Sequence, residues 1–357
     1  MTNALLRISL IKSNRVIPLI VPAVFCVSAA RAVTIETVPV GNPGNAADTE
    51  RMSDATTGYG SVAYRYRIGK YEVTNAQYTE FLNGVDPTGA NVLALYDSNM
   101  SSDAHGGINF NGAAGNGSKY DVKPGRDINP VVFVSWYDSV RFANWLNNGQ
   151  GSGDTENGAY TLLGGVPTPS NGNSIARNAR AKWWLPSEDE WYKAAFHKND
   201  GISGSYWDYA TSSDTVPYSD QPPGSDAPDP SNTANFFRND RVANGYDDGY
   251  AVAGSFVPPE NPLSDVGAYT FSTSPYGTFD QAGNIIEWNE LPGVRGGAAV
   301  FNDFKGLHAS LRGRSPRTKQ DSFTGFRVAS IVPEPSTIVL LGLGVLLLTR
   351  HPRRSWP

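Results

Sequence analysis

Glu287 stands between Ile286 and Trp288 in the stretch DQAGNIIEWNE, just after a Gly-Asn pair that marks a turn. Stripping a carboxylate of its water is costly, so a glutamate among apolar neighbours needs a partner. Three are open to it: a substrate proton, a metal ion, or an arginine such as Arg295 or Arg327. Calcium accepts about six to eight oxygens, backbone carbonyls included, so a Gly-rich turn carrying one carboxylate suits that ion. Three histidines, His105, His197 and His308, are scattered without ligand spacing. Two of them could join a carboxylate in the facial arrangement of non-haem iron; the other reading is surface or hydrogen-bonded histidines. The segment LRGRSPR gathers Arg312, Arg314 and Arg317, whose guanidinium forks could clamp a carboxylate or a main-chain carbonyl. Alternatively Arg314 and Arg295 sit in salt bridges against Glu287 or Asp321. No G-x-S-x-G elbow, no H-E-x-x-H and no phosphate-binding Gly-rich loop is present. Glu188 and Glu190 lie together at a helix start, where acidic residues suit the helix dipole and need no further role.

The two ends of the chain read as addresses. Residues 1–32 have a basic start (Arg7, Lys12, Arg15), an apolar run from Val16 and a small-x-small close at Ala30-Arg31-Ala32, the pattern of a secretory signal peptide. Cys26, the single cysteine, falls inside it, so the mature chain has neither disulfide nor thiolate. At the other end, Val332-Pro333-Glu334-Pro335 precedes an apolar run from Ile338 to Leu348 and then Arg350, Arg353 and Arg354. That run is shorter than the roughly 20 residues of an ordinary spanning helix. Residues 332–357 resemble a PEP-CTERM sorting signal, which implies recognition by an exosortase, transient membrane association through the short helix, and export to the cell envelope or extracellular matrix of a Gram-negative bacterium.

Of the 29 Lys and Arg, four lie in residues 1–32 and three in 336–357, where there is no acidic residue; the remaining 22 face 34 Asp and Glu, a net of −12. Such an acidic exported domain is a poor nucleic-acid binder and a plausible home for calcium. With 37 Gly and 25 Pro, but also 17 Tyr, 15 Phe and 8 Trp, it reads as loop-rich and pinned by aromatic anchors rather than disordered.

The elements that must position these groups are few. Thr74 with Gln77 opens a helix that stops at Gly84; Ser135 opens a second that stops near Gly149, with Trp136, Val140 and Ala143 on one face. Ser187 with Glu190 opens a third, with Trp191, Ala194 and Ala195 on its apolar side. Strands are expected in YRYRIGKYEV, VVFVSW, KWWLP and FTGFRVAS, separated by long polar segments at 86–129, 147–180 and 199–265. Loops that long either bind something or are held by ligands. The result is an α+β domain over 33–331 with few regular elements.

Six stretches in order carry a resemblance: YRIGKYEVTNAQYTEFLN, NPVVFVSWYDSVRFANWLN, WWLPSEDEWYKAAF, YGTFDQAGNIIEWNE, RGGAAVF and GFRVAS. Together they resemble the formylglycine-generating-enzyme or sulfatase-modifying-factor family, which implies a C-type-lectin-like fold with calcium-braced loops. The resemblance implies a calcium ion on Gly283, Ile285 and Glu287, with Ile286 where the family usually has Trp. It implies a second on Asn235, Phe236, Asp248 and Tyr250, with Asp247 able to replace Asp248 and an acidic solvated loop as the other reading. It implies a substrate-peptide groove around Arg312 and Arg314. Copper in that family is held by two cysteines; Phe301 and Gly306 stand roughly at their positions, and Copper(I) wants soft thiolates. Formylglycine generation is therefore not expected. The expectation is a calcium-stabilised binding or matrix module for a peptide or envelope polymer, against an extracytoplasmic metal-dependent oxidoreductase using another metal, such as iron, and another substrate.

Overall fold

Three serine or threonine hydroxyls start the three main helices. In the computed structural model, which describes residues 32–300 and 304–332, each closes a capping box. All but the last residue of the expected signal peptide 1–32, Phe301 and the sorting tail beyond Val332 lie outside the described residues. In chain order the elements are β1 (Thr37–Val40), β2 (Tyr66–Gly69), α1 (Asn75–Val85), α2 (Asn99–Ser102), β3 (Ile108–Phe110), β4 (Tyr120–Val122) and α3 (Trp136–Asn147). Next come β5 (Trp183–Trp184), α4 (Glu188–Phe196), β6 (Tyr218–Ser219), β7 (Thr233–Ala234), β8 (Phe237–Asn239) and β9 (Asp248–Tyr250). The last are β10 (Ile286–Trp288), β11 (Gly293–Arg295), β12 (Gly313–Arg314), β13 (Thr324–Gly325) and β14 (Ala329–Ser330).

Two four-stranded sheets organise the domain, in the orders β1-β2-β14-β5 and β12-β11-β10-β13. The first joins the two ends of the domain, because β14 pairs antiparallel with β2 and β5. The second holds the Glu287 stretch: Glu287 stands opposite Arg295 on β11 and opposite Gly325 on the parallel neighbour β13. Phe81, Phe142, Trp145 and Phe326 meet with centroids 5.4 Å apart, locking α1 and α3 onto the chain leaving β13. Aromatic pairs at that spacing add about 0.5–1.5 kcal/mol each beyond their buried area. A second cluster gathers Trp191, Tyr192 and Phe196 of α4 with Tyr209, Phe236 and Leu307.

The expected apolar stripe on α3 is wider than Trp136, Val140 and Ala143. Every residue from Trp136 to Leu146 is buried, Arg141 and Asn144 included. Those two polar residues hold a long loop. Arg141 binds Glu156 and the carbonyls of Val166 and Pro167. Asn144 donates to the carbonyls of Thr155 and Tyr160 and accepts from the Tyr160 amide. Side chains thus satisfy backbone groups that no ladder serves. VVFVSW corrects another expectation: it is buried but not a strand. Phe133 has φ +61, and the amides on either side go to different segments, Val131 to Val73 O and Phe133 to Asp321 O. FTGFRVAS is split between β13 and β14, with Arg327 in the break.

Lys193 on α4 is buried, and its ammonium donates to Asn42 O at 2.7 Å without an ion pair among the described residues. Burial pushes its pKa down to about 8. The unfolded chain keeps that proton to about pH 10.4. Between those limits the unfolded state binds more protons, so stability rises with pH across the window. Lys193→Met should abolish this slope in chemical denaturation measured from pH 7 to 10.5; an unchanged slope would assign it to another group.

Candidate functional site

Glu287 is fully buried on β10, and its partner is Arg327. Arg327 Nε donates to Oε2 and Nη2 to Oε1, both at 2.6 Å. Trp191 Nε1 donates to Oε2 at 2.9 Å. The rest of the guanidinium reaches the carbonyls of Gly69 and Phe279. A bidentate fork plus an indole donor thus occupies both carboxylate oxygens. Glu287 in this arrangement does not fit a calcium ligand, and the alternative of an arginine partner is what the geometry presents.

The turn before it is built for close approach. Gly283 has φ +92, and a Cβ there would lie 2.3 Å from Asn235 O, so no other residue fits. Asn284, also at positive φ (+59), accepts from the Ser264 amide and from Asn235 Nδ2 and donates to Glu72 Oε1. Ile285 is fully buried in the first core. The Gly-Asn turn therefore works as a clasp between three segments.

Sequence reasoning missed the other two acids around Arg327. Glu72 Oε2 is buried, lies 4.0 Å from Arg327 Nη2 and receives no donor; Asp280 accepts from the Gly267 amide. Burial drives the Glu72 pKa well above the ordinary carboxylate value, with Asp280 and Glu287 adding to it. Burial likewise pushes Asp280 up to about 6. Three buried carboxyls against one guanidinium favour the protonated form of Glu72, the acid whose Oε2 has no donor. The glutamate of YEV and an aspartate just before QAGN were visible, but nothing local marks them as neighbours.

The Asn235 group is more open. Asn235 Oδ1 is buried without a partner, while Nδ2 donates to Pro262 O and Asn284 Oδ1. Phe236 O accepts from Ser219 Oγ, and Tyr250 O from the Gly254 amide. Asp248 takes the Gly245 amide, whereas buried Asp247 takes the Ser219 amide and lies 3.2 Å from Arg238. The orphaned Asn235 oxygen is the one feature of this group that calls for a further partner, as a hard cation would supply.

The arginines are held by Glu188, which does more than open a helix. Arg295 and Arg312 both bind it, at 2.8 and 2.6 Å, and Arg312 also binds Asp54. Burial opposes ionisation of Glu188, but the two guanidinium groups hold its pKa below the ordinary value. Arg314 is exposed on β12 and is not part of this network. Beside it opens a cavity of about 190 Å³ walled by Ile286, Val294, Gly297, Gly306, Leu311 and Gly313. Among its described residues only Arg295 and Arg312 carry charge, and both are neutralised. Gly306, at an expected cysteine position, lines this cleft and offers no sulfur.

The histidines do not converge. His105 pairs with Asp103 against Phe323, His197 is buried against Tyr276, and His308 bonds Ser310 beside Tyr209. Among the described residues no three His, Cys, Asp or Glu side chains come together as a metal centre.

The profile of the sulfatase-modifying factor enzyme 1-like domain matches residues 33–332. The chain belongs to that family. A PEP-CTERM protein-sorting motif matches residues 332–354, which marks the sulfatase-modifying-factor domain for exosortase-mediated sorting and export to the Gram-negative cell envelope. Two solved structures share the fold: Treponema denticola variable protein 1, at 16% identity and TM-score 0.51, and CarF, at 18% identity and TM-score 0.50. The matches cover 85% of this chain in both cases, and 98% and 100% of those chains. No curated protein matches the chain. The α+β, loop-rich C-type-lectin-like expectation stands.

Removing one partner from a buried pair costs about 3–5 kcal/mol, because the other charge is stranded. Arg327→Met should destabilise by that order in urea denaturation, whereas Glu72→Gln, matching the protonated acid, should cost less than about 1.5 kcal/mol. Asp280 keeps its proton to about pH 6 folded and to about 3.8 in its reference state, so stability falls as pH rises through that window. Equal losses in the two variants would overturn the assignment of the proton to Glu72.

Proposed function

We propose that the mature domain is an exported binding module whose cleft between β11, β12 and Gly306–Leu311 takes an extended peptide or envelope polymer. One observation carries this reading: the cleft stands where the family's copper chemistry would be, yet its wall is glycine and aliphatic carbon and both of its arginines are neutralised by Glu188 and Asp54. Copper does not fit, because its soft thiolate ligands are missing from every position after Cys26. A narrow apolar slot beside the short edge strand β12 suits main-chain recognition, in which backbone groups supply hydrogen bonds and the slot accepts alternate side chains.

Calcium belongs to this proposal as a brace at Asn235, Phe236, Asp247 or Asp248, and Tyr250, on the strength of the unpartnered Asn235 oxygen. Its chemistry would be structural, tying the loop of β8 and β9 to the Gly-Asn clasp. A metal-dependent oxidation would need ligands other than the three histidines, which sit in separate surroundings.

Three measurements test these readings. Supplied with copper(I), oxygen and a cysteine-containing peptide, the mature chain should form no aldehyde detectable with a hydrazine reagent; aldehyde formation would overturn the binding reading. A displayed library of extended peptides should enrich ligands whose capture falls about tenfold, or about 1.4 kcal/mol, in Leu311→Trp, where the slot is filled. Elemental analysis of the same chain, purified without chelator, should find about one calcium, retained in Glu287→Gln. Loss of calcium in that variant would restore Glu287 as a ligand.

A further inference from the structure

A second groove, of about 530 Å³, lies apart from the cleft. It lies at the β5 edge of the first sheet and is lined by Tyr64, Arg65, Arg177, Trp184, Ile331 and Val332. Its floor is closed: the Arg177 guanidinium lies 4.5 Å from the Trp184 ring centroid and is held by Glu190 and Glu290. Arg65 lines its open side, and Arg180 and Lys182 alternate along the chain with its lining residues Ala179 and Ala181. All three are exposed, and among the described residues none makes an ion pair. Apolar groups share that rim, with Tyr64 48%, Ile331 45% and Val332 40% exposed.

The position of this face in the chain matters as much as its chemistry. Val332 is the first residue of the sorting motif, and the apolar run begins at Ile338. Six residue steps span at most about 20 Å even fully extended. If that run enters the bilayer, as the membrane-associated reading of the sorting tail requires, the groove cannot be far from the headgroups. The domain as a whole carries a net charge of −12, so an anionic surface repels most of it. Basic side chains near such a surface are attracted within a Debye length, and aromatic and aliphatic groups settle at the interface. The basic face is thus the one an anionic bilayer selects.

We propose that this face, with Arg65, Arg180 and Lys182 as its cationic rim and Tyr64, Ile331 and Val332 as its apolar contacts, rests the exported domain on an anionic phospholipid bilayer while the sorting tail is attached. The inference rests on the membrane reading of the tail, and the test separates the two. The full chain is mixed with vesicles of phosphatidylethanolamine and phosphatidylglycerol, or of phosphatidylcholine alone, and sedimented. Amine acetylation of Lys182 is then followed by peptide mass spectrometry, with Lys319 as internal reference. The expected result is sedimentation with both vesicles and at least about threefold slower labelling of Lys182, relative to Lys319, on the anionic ones only. In Arg65→Glu/Arg180→Glu, two exposed positions, sedimentation should persist and the protection should vanish. Sedimentation with equal labelling would overturn this inference and leave the tail reading intact. Failure to sediment would remove both. Protection that survives the double variant, or appears equally on phosphatidylcholine, would mean that the tail or a second copy covers the groove and would overturn the proposal.

Discussion

The ion pair between Glu287 and Arg327 is the constraint on which this domain depends. Both groups are fully buried, so each is viable only while the other is in place. Glu287 belongs to the second sheet, and Arg327 to the link between β13 and β14, which returns the chain to the first. Trp191, bonded to the same carboxylate, belongs to the second aromatic cluster, and Trp288, next to Glu287, to the first. One carboxylate therefore sets the spacing between two sheets and two cores. Hydrophobic packing alone would tolerate sliding; a two-pronged charged bond does not.

Around that pair the protein replaces regular ladders with side-chain bonds. Asn144 and Arg141 hold the loop after α3, Asn284 clasps the 235 and 264 segments, and Asn235 extends the clasp to Pro262. Asparagine serves because it both donates and accepts, and so matches an irregular backbone on two sides. These bonds explain how such long loops remain ordered, and why calcium at Asn235 would be an additional brace within an existing network.

Glu188 decides the character of the cleft. Together with Asp54 it neutralises Arg295 and Arg312 and turns a basic groove into a nearly uncharged slot. Apart from those two paired arginines, the described wall of the slot is glycine and aliphatic side chain. Arg65, Arg180 and Lys182, exposed and without an ion pair among the described residues, lie apart from it, near the chain's departure toward its sorting tail.

The parts legible in the sequence were those written in adjacent residues. The capping boxes of Thr74 and Ser187 put the required hydroxyl and amide within one helical turn, and the family motifs and sorting tail are likewise local patterns. The absence of cysteine after Cys26 excluded thiolate chemistry without any structure. What composition and spacing left open was which acid meets which base. Glu287 was equally suited to a metal and to an arginine, VVFVSW had the composition of a strand, and Glu188 needed no partner beyond its helix. Those outcomes depend on contacts between residues 40, 107 and 124 positions apart, where no sequence period operates. The sequence alone determined helix starts, exported class and missing chemistry, since these follow from local bonding and residue type. Tertiary structure decided the fate of each buried charge, because in a low-dielectric core a carboxylate is defined by whatever cation the fold brings to it.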